Sequence, residues 1–326
     1  MSHFEVFNGD ADGLCALQQL RLARPAPHAA AATCVTGVKR DIRLLERVLG
    51  AARPDDSVTV LDIALEVNRA ALEPLLERGV RVEWFDHHHP GPIPRHPLLT
   101  TRIDPREGVC TALLVDVHLG GRQGAWAAVG ACGDNLLAEG RARMLELGLN
   151  AAERAELELL GICLNYNAYG DTLADLVIDP AALAALLHPC AHPLDFVRDQ
   201  PVCRAIRAAR AADLDQCASV QPSHVLVGGR MVVLPDAPWS RRMRGDLANQ
   251  WANARPDLAT AVLTPNARGG YVVSVRAPLN RRHGADRLCR QFESGSGRPA
   301  AAGINHLDPA QIDSFAEAFD RAFRNS

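Results

Sequence analysis

The run Val58-Thr-Val-Leu61, closed by Asp62, most constrains what this chain can fold into. Four β-prone, mostly apolar residues without polar alternation fit a strand buried on both faces, and such strands belong to parallel sheets covered by helices. The flanking segments agree. Phe4–Phe7 is a short β-prone run ahead of a helical pattern with Leu14, Leu17 and Leu20; Leu65–Leu76 has helical spacing; Val80–Phe85 is β-prone again. This alternation predicts parallel βαβ units. Helices then dominate from Thr111 to Tyr166, with Ala-Glu-rich turns around Ala151–Leu160.

In an open α/β sheet, ligands bind where loops leave the carboxyl ends of the strands. Acidic groups collect at those places. Asp10 and Asp12 lie in Asn8-Gly-Asp-Ala-Asp-Gly13 after the first strand, where Gly9 and Gly13 are expected to give the backbone conformational freedom. Asp62 ends the next clear strand, Asp86-His87-His88 ends the following one, and Asp134 sits in Gly133-Asp-Asn135 after the apolar run Ala125–Cys132. Each piece alone has an ordinary explanation. An isolated D-x-D-G is more often a turn or helix cap, a lone strand-end Asp means little, and His89 before Pro90 reads as a solvated loop. Four such elements in order within one α/β half point to chemistry. Carboxylates gathered in one cleft repel one another unless a cation neutralises them. Oxygen ligands with one or two imidazoles favour Mn²⁺ or Mg²⁺ over zinc.

The set N-x-D-x-D-G (8–13), V-L-D (60–62), D-H-H (86–88) and G-D-N (133–135) resembles the DHH phosphoesterase superfamily, which includes RecJ-type exonucleases and nanoRNases. The resemblance implies an N-terminal parallel-sheet domain with helices on both faces and a smaller α/β C-terminal domain. It implies two divalent cations, Mn²⁺ with Mg²⁺ as the alternative: one held by Asp10, Asp62 and Asn8, the other by Asp12, a bridging Asp62, His87 and Asp134. His88 would lie near the phosphate and leaving oxygen, with Asp86 orienting the histidines as a carboxylate behind a ligating imidazole does. Where many relatives carry His or Asp, this chain has Asn8, a weaker and neutral ligand.

His188-Pro-Cys-Ala-His-Pro193 interrupts the helical region, and an Arg- and Ala-rich helical segment leads to Gln221-Pro222. The expected division is 1–200 for the metal-binding domain, 201–222 for a helical linker and 223–326 for a substrate-binding domain. In the last part, strands are expected at His224–Val227, Met231–Leu234, Ala259–Leu263 and Tyr271–Val275, and helices around Gly245–Ala254, Ala285–Phe292 and Pro309–Phe323. The stretch Phe292-Glu-Ser-Gly-Ser-Gly-Arg-Pro-Ala-Ala-Ala-Gly303 reads by itself as a flexible turn before a small-residue strand; its glycines and arginine could also approach an anionic oxygen. With the preceding strand and helix it resembles the DHH-associated C-terminal domain, whose signature is G-G-G-H-x-x-A-A-G. Here Ser296 replaces the second glycine and Arg298 the histidine. The resemblance implies that Arg276, Gly295, Ser296, Gly297 and Arg298 bind substrate phosphate across an interdomain cleft. Arg298 could bind phosphate bidentately, but it cannot titrate.

Weaker candidates are Tyr166 and Tyr169 as base-stacking groups, for which aromatic packing is the default, and the cluster Arg241, Arg242 and Arg244 with His283, for which a solvated helix start is the default. The formal charge of −3 gives no basic field for long nucleic acid, so a small phosphoester or short RNA or DNA is the expected substrate. Nine cysteines without a C-x-x-C pair suggest reduced thiols, and the N-terminus lacks a secretory pattern; a cytoplasmic, membrane-free protein is expected, with a homodimer open. The function expected is phosphoester hydrolysis by a two-metal mechanism. A nucleotide-binding regulatory protein with a degenerate centre is the alternative.

Overall fold

The computed structural model describes residues 1–24 and 32–324. The chain divides into two compact units, Met1–Arg210 and Ala211–Ser326. In the first unit the elements run β1 (His3–Phe7), α1 (Ala11–Ala23), β2 (Thr33–Val35), β3 (Ser57–Leu61), α2 (Leu65–Glu77), β4 (Arg81–Asp86) and β5 (Leu99–Ile103). The helices α3 (Thr111–His118), α4 (Gly124–Gly133), α5 (Leu137–Glu146), α6 (Ala151–Ala168), α7 (Pro180–Leu187), α8 (Pro193–Asp199) and α9 (Pro201–Ser219) follow. The division between units falls inside α9.

The five strands form a fully parallel sheet in the order β2-β1-β3-β4-β5. On one face α2 and the turn at Leu44–Val48 bury Phe4, Val6, Val58, Val60, Leu72, Val82 and Trp84 in one apolar cluster. Helix α1 has every residue from Ala11 to Arg21 buried, because α3, α4 and α6 pack around it. Burial on all sides leaves its one arginine dependent on a partner: Arg21 donates to Glu5 of β1 at 2.5 Å. Some helix starts carry side-chain caps. Asp10 caps α1, Asn150 and Glu153 form a capping box on α6, and Asp179 with Pro180 opens α7.

The second unit comprises β6 (His224–Val225), β7 (Gly229–Val233), α10 (Pro238–Ala254), β8 (Ala259–Pro265), β9 (Tyr271–Arg276), α11 (Ala285–Cys289), β10 (Gly295–Arg298), β11 (Ala301–Leu307) and α12 (Ile312–Phe323). Its sheet has the order β10-β11-β9-β8-β7-β6 and is antiparallel except for β7–β8. Phe315, Phe319 and Phe323 recur every four residues on α12, so one stripe of rings buries against Met231, Leu263, Val273, Val275 and Ile304. Helix α10 packs on β8 and β9, and the Arg230 guanidinium lies 4.5 Å over the Trp251 ring.

Two expectations about the second unit change. The small-residue strand follows as β11, but the glycines before it form an edge strand rather than a flexible turn: β10 pairs antiparallel with β11, and a side chain at Gly295 would put a Cβ 1.7 Å from the Cys289 carbonyl oxygen. The arginine cluster is structural, with Arg242 paired to Asp213 at 2.8 Å, Arg244 donating to Thr264 and Arg241 to Asp236. The nine cysteines are all unpaired.

Candidate metal centre

The strand order makes the crevice. After β1 the chain moves to β2 on one side, whereas β3 lies on the other, so the loops leaving β1 and β3 diverge. Asn8 and Asp10 follow β1, Asp62 follows β3, and Asp86 ends β4 with His87 and His88 next. Helix α4 brings Asp134 to the same place.

Local backbone chemistry fixes each carboxylate. Asp10 Oδ1 accepts the backbone N–H groups of Asp12 and Gly13 at 3.1 and 3.2 Å, the N-cap arrangement of α1. Asp12 reaches outward to the start of α3 and accepts from Thr111 N and Ala112 N, both at 2.7 Å. Asp62 sits at φ 58, in the left-handed region, where the chain turns sharply off β3. Asp134 caps the end of α4, and Asn135 at φ 64 closes the helix while Leu136 N donates back to Ala131 O. Gly9 and Gly13 matter for space rather than for backbone freedom, since neither adopts a positive φ. A Cβ at Gly9 would lie 2.1 Å from Gly37 O, and one at Gly13 would lie 2.2 Å from Asn8 O.

His87 is the hub. Its Nε2 lies 3.4 Å from Asp62 Oδ1, 3.6 Å from Asp134 Oδ2 and 3.9 Å from Asp12 Oδ2. Atoms about 2.1 Å from one hard cation stand about 3.0–4.2 Å apart in octahedral geometry, so this spacing suits a common ion. Ligand atoms of Asp12, His87 and Asp134 all lie within 4.8 Å of one another, as do those of Asp62, His87 and His88. His88 Nδ1 is 2.7 Å from Asp86 Oδ1, and Asp86 is fully buried with its Oδ2 unpartnered. The two imidazoles lie against each other at a tilt of 54°, centroids 4.5 Å apart.

The electrostatics are those of crowded acids. Burial, then the charges of Asp10, Asp12, Asp86 and Asp134, push the Asp62 carboxyl well above the usual range. Burial and Asp12 push Asp134 up to about 6. Asp10 escapes this: burial would raise it, but an ammonium beside it holds it low. The Asp86 hydrogen bond raises His88.

That ammonium belongs to Lys39, which sequence reasoning missed. Its Nζ lies 2.5 Å from Asp10 Oδ2, 3.0 Å from Asn165 Oδ1 and 3.7 Å from Asp134 Oδ1. The Tyr169 ring lies 5.7 Å away, so Asn165 and Tyr169 belong to the surroundings of this lysine, while Asn167 holds the backbone at Val177 and Ile178. Lys39 stands in a loop without periodicity. The only sequence signal was the polar-aromatic run that ends α6. Thr111, which donates its hydroxyl to Asp62 Oδ1 at 3.3 Å, was also missed.

The remaining predicted residues lie in the second unit. Arg276 of β9 pairs directly with Ala301 of β11, which pairs with Arg298 of β10. Directly opposed residues share a face, so the two arginines flank a methyl group on one surface. Arg276 Nε donates to Asn249 Oδ1 at 2.6 Å. A cleft of about 280 Å³ lined by Asn249, Asn253, Arg276, Arg282 and Ala301 opens there. Gly295, Ser296 and Gly297 form the edge strand beside it.

A parallel-sheet unit followed by a mixed-sheet unit is the two-domain α/β fold also seen in solved RecJ and DHH-domain structures. Among solved structures the chain is similar to an exonuclease RecJ bound to manganese, at TM-score 0.65 and 19% identity over 98% of this chain and 89% of that one. It is also similar to RecJ in complex with Mn²⁺ from Thermus thermophilus, at TM-score 0.60 and 19% identity over 98% of this chain, which spans 51% of that protein. The DHH domain of a protein described as a member of a ribosomal-protein family matches at TM-score 0.63 and 13% identity over 98% of this chain and 86% of that one. No family model and no curated protein matches the sequence.

Proposed function

We propose that the chain is a divalent-cation-dependent phosphoesterase that hydrolyses short oligonucleotides or small nucleotide esters. The observation that carries this is the convergence of His87 Nε2 with oxygens of Asp12, Asp62 and Asp134 at 3.4–3.9 Å. The donor set fits a hard cation. Three carboxylates and one imidazole favour Mn²⁺ or Mg²⁺, and the upward push on Asp62 and Asp134 is what an ion would relieve. Mn²⁺ is the reading for this chain with Mg²⁺ as the alternative, since RecJ structures are solved with either ion. When bound, the ion supplies Lewis acidity toward a phosphoryl oxygen and makes water more acidic.

The other groups act around that centre. Asp86 holds His88 through Nδ1, leaving Nε2 as the nitrogen that can give a proton to the leaving oxygen. Arg276 and Arg298, with the backbone at Gly295–Gly297, bind the substrate's phosphates, and the cleft beside Arg276 has room for one small ester group. Among the described residues no helix is long and apolar enough to cross a membrane, and nine free thiols support a cytoplasmic setting.

A second reading, a nucleotide-binding regulatory protein with a centre that no longer turns over, is favoured by Asn8 and by the lysine on Asp10. A screen of metal-stripped protein with added Mn²⁺ or Mg²⁺ separates the two. Substrates are short RNA and DNA oligomers, cyclic dinucleotides, 3′-phosphoadenosine phosphate and bis-p-nitrophenyl phosphate. Metal-dependent turnover lost in Asp62→Ala is expected. Nucleotide binding without turnover of any substrate would overturn the enzymatic reading.

A further inference from the structure

We propose that the Lys39 ammonium takes the place of a second divalent cation, so that the centre binds one metal ion beside a built-in lysine. This rests on the metal-centre reading above and does not depend on turnover.

The residues do not fit an ion on the Asp10 side. Asp10 lies outside both ligand-spaced groups; like Asp12 it accepts backbone N–H groups, but unlike Asp12 its other oxygen is taken by an ammonium. Asp10 Oδ1 accepts two backbone N–H groups, and Oδ2 lies 2.5 Å from Lys39 Nζ. Asn8 contributes a neutral amide; its Oδ1 is a buried acceptor without a partner. One such oxygen with a share of Asp62 is a poor set for a divalent ion, which takes about six oxygen ligands and several carboxylates or waters.

Lys39 is built into that position. Its backbone N–H donates to Ala168 O at 2.9 Å and its carbonyl accepts from Asn8 Nδ2 at 3.4 Å. Asn165 Oδ1 takes a second hydrogen from the ammonium, and the Tyr169 ring lies beside it. Contacts from three parts of the chain hold one side chain. Against the carboxylates of Asp10, Asp12, Asp62 and Asp134, one ion and the ammonium supply three positive charges. The ammonium donates hydrogen bonds and fixes charge but cannot act as a Lewis acid, so activation of water falls to the ion at His87. Metal dependence is accordingly that of a single site.

The test is metal-free full-length protein titrated with Mn²⁺ by calorimetry, with bound manganese measured by elemental analysis and electron paramagnetic resonance. One equivalent is expected, with the hyperfine pattern of an isolated ion. The double variant Asn8→His with Lys39→Ala is expected to bind a second equivalent and show an exchange-coupled signal. Lys39→Gln, its fold checked by circular dichroism, is the milder variant: loss of an adjacent positive charge is expected to tighten Mn²⁺ binding by about tenfold or more. Two equivalents in the wild type, or a Lys39→Gln protein that binds Mn²⁺ no more tightly, overturns the assignment. No bound ion in any variant overturns the metal-centre reading and the lysine assignment with it.

Discussion

Asp62→Asn should make the metal-free protein more stable while abolishing its response to metal. Asp62 is buried among four other carboxylates, supported by a hydroxyl hydrogen bond from Thr111 and by His87 Nε2 at 3.4 Å. Asparagine keeps the shape, the acceptor for Thr111 and tolerance of the left-handed φ 58, and removes only the charge. Removing a buried charge without adequate partners is worth about 1–3 kcal/mol. In a unit of this size that corresponds to a Tm about 3–10 °C higher in chelator.

The gain should depend on pH. The folded-state pKa of Asp62 lies above its unfolded value, so the folded chain binds the extra proton more tightly. Its contribution is fully present below the unfolded pKa and is lost as pH rises through the folded one. Asp134 behaves in the same sense between the usual 3.8 and about 6. The advantage of Asp62→Asn therefore grows from pH 5 to pH 8. In Mn²⁺ at about 100 times its Kd, the wild type should gain about 2.7 kcal/mol, or about 5–10 °C, and the variant almost nothing. Differential scanning fluorimetry in chelator and in Mn²⁺, across that pH range, measures both effects. A variant less stable than the wild type in chelator at pH 8, or one that keeps the full Mn²⁺ shift, would refute the argument that Asp62 is a strained carboxylate awaiting a cation.

Arg276→Ala should raise KM for a phosphoester several-fold and leave bound manganese unchanged; depleted manganese in that variant would contradict the division of labour between the units. Gly161 and Gly133 let α6 and α4 approach closely, since a Cβ at Gly161 would lie 2.3 Å from Val129 O and 2.9 Å from Gly133 N. Gly161→Ala should cost about 1–3 kcal/mol or more in urea unfolding. Arg21→Ala leaves Glu5 buried without its cation and should cost about 3–5 kcal/mol, whereas Arg21→Met with Glu5→Gln should recover most of that loss. Equal instability of the single and double variants would locate the effect in packing.

The central strands were legible because burial on both faces leaves continuous apolar runs: β1, β3 and β4 fall where Phe4–Phe7, Val58–Leu61 and Val80–Phe85 placed them. The edge strands β2 and β5 were not. Thr33–Val35 is too short for a period, and Leu99–Ile103 is half-exposed and carries two threonines and an arginine. The placement of Asp10, Asp62 and Asp86 after the strands was legible because strand-end position is a property of topology. Lys39 escaped because its partners Asp10, Asn165 and Tyr169 come from distant parts of the sequence, and no spacing rule connects them.

The cluster holds its acids in two ways, and the difference bears on stability. Asp10 and Asp12 each accept two backbone N–H groups at the start of a helix, α1 and α3, where the positive end of the peptide dipoles supports a carboxylate. Those two charges are partly supported by the fold itself. Asp62 has the Thr111 hydroxyl and His87 Nε2 at 3.4 Å, and Asp134 has Lys39 and His87 at ion-pair distance. Their charges become favourable only with a further cation. An ion at His87 therefore completes the electrostatics of the folded unit. In chelator, amide exchange should rise first at the ends of β3 and α4, where Asp62 and Asp134 sit, and not at the capped starts of α1 and α3.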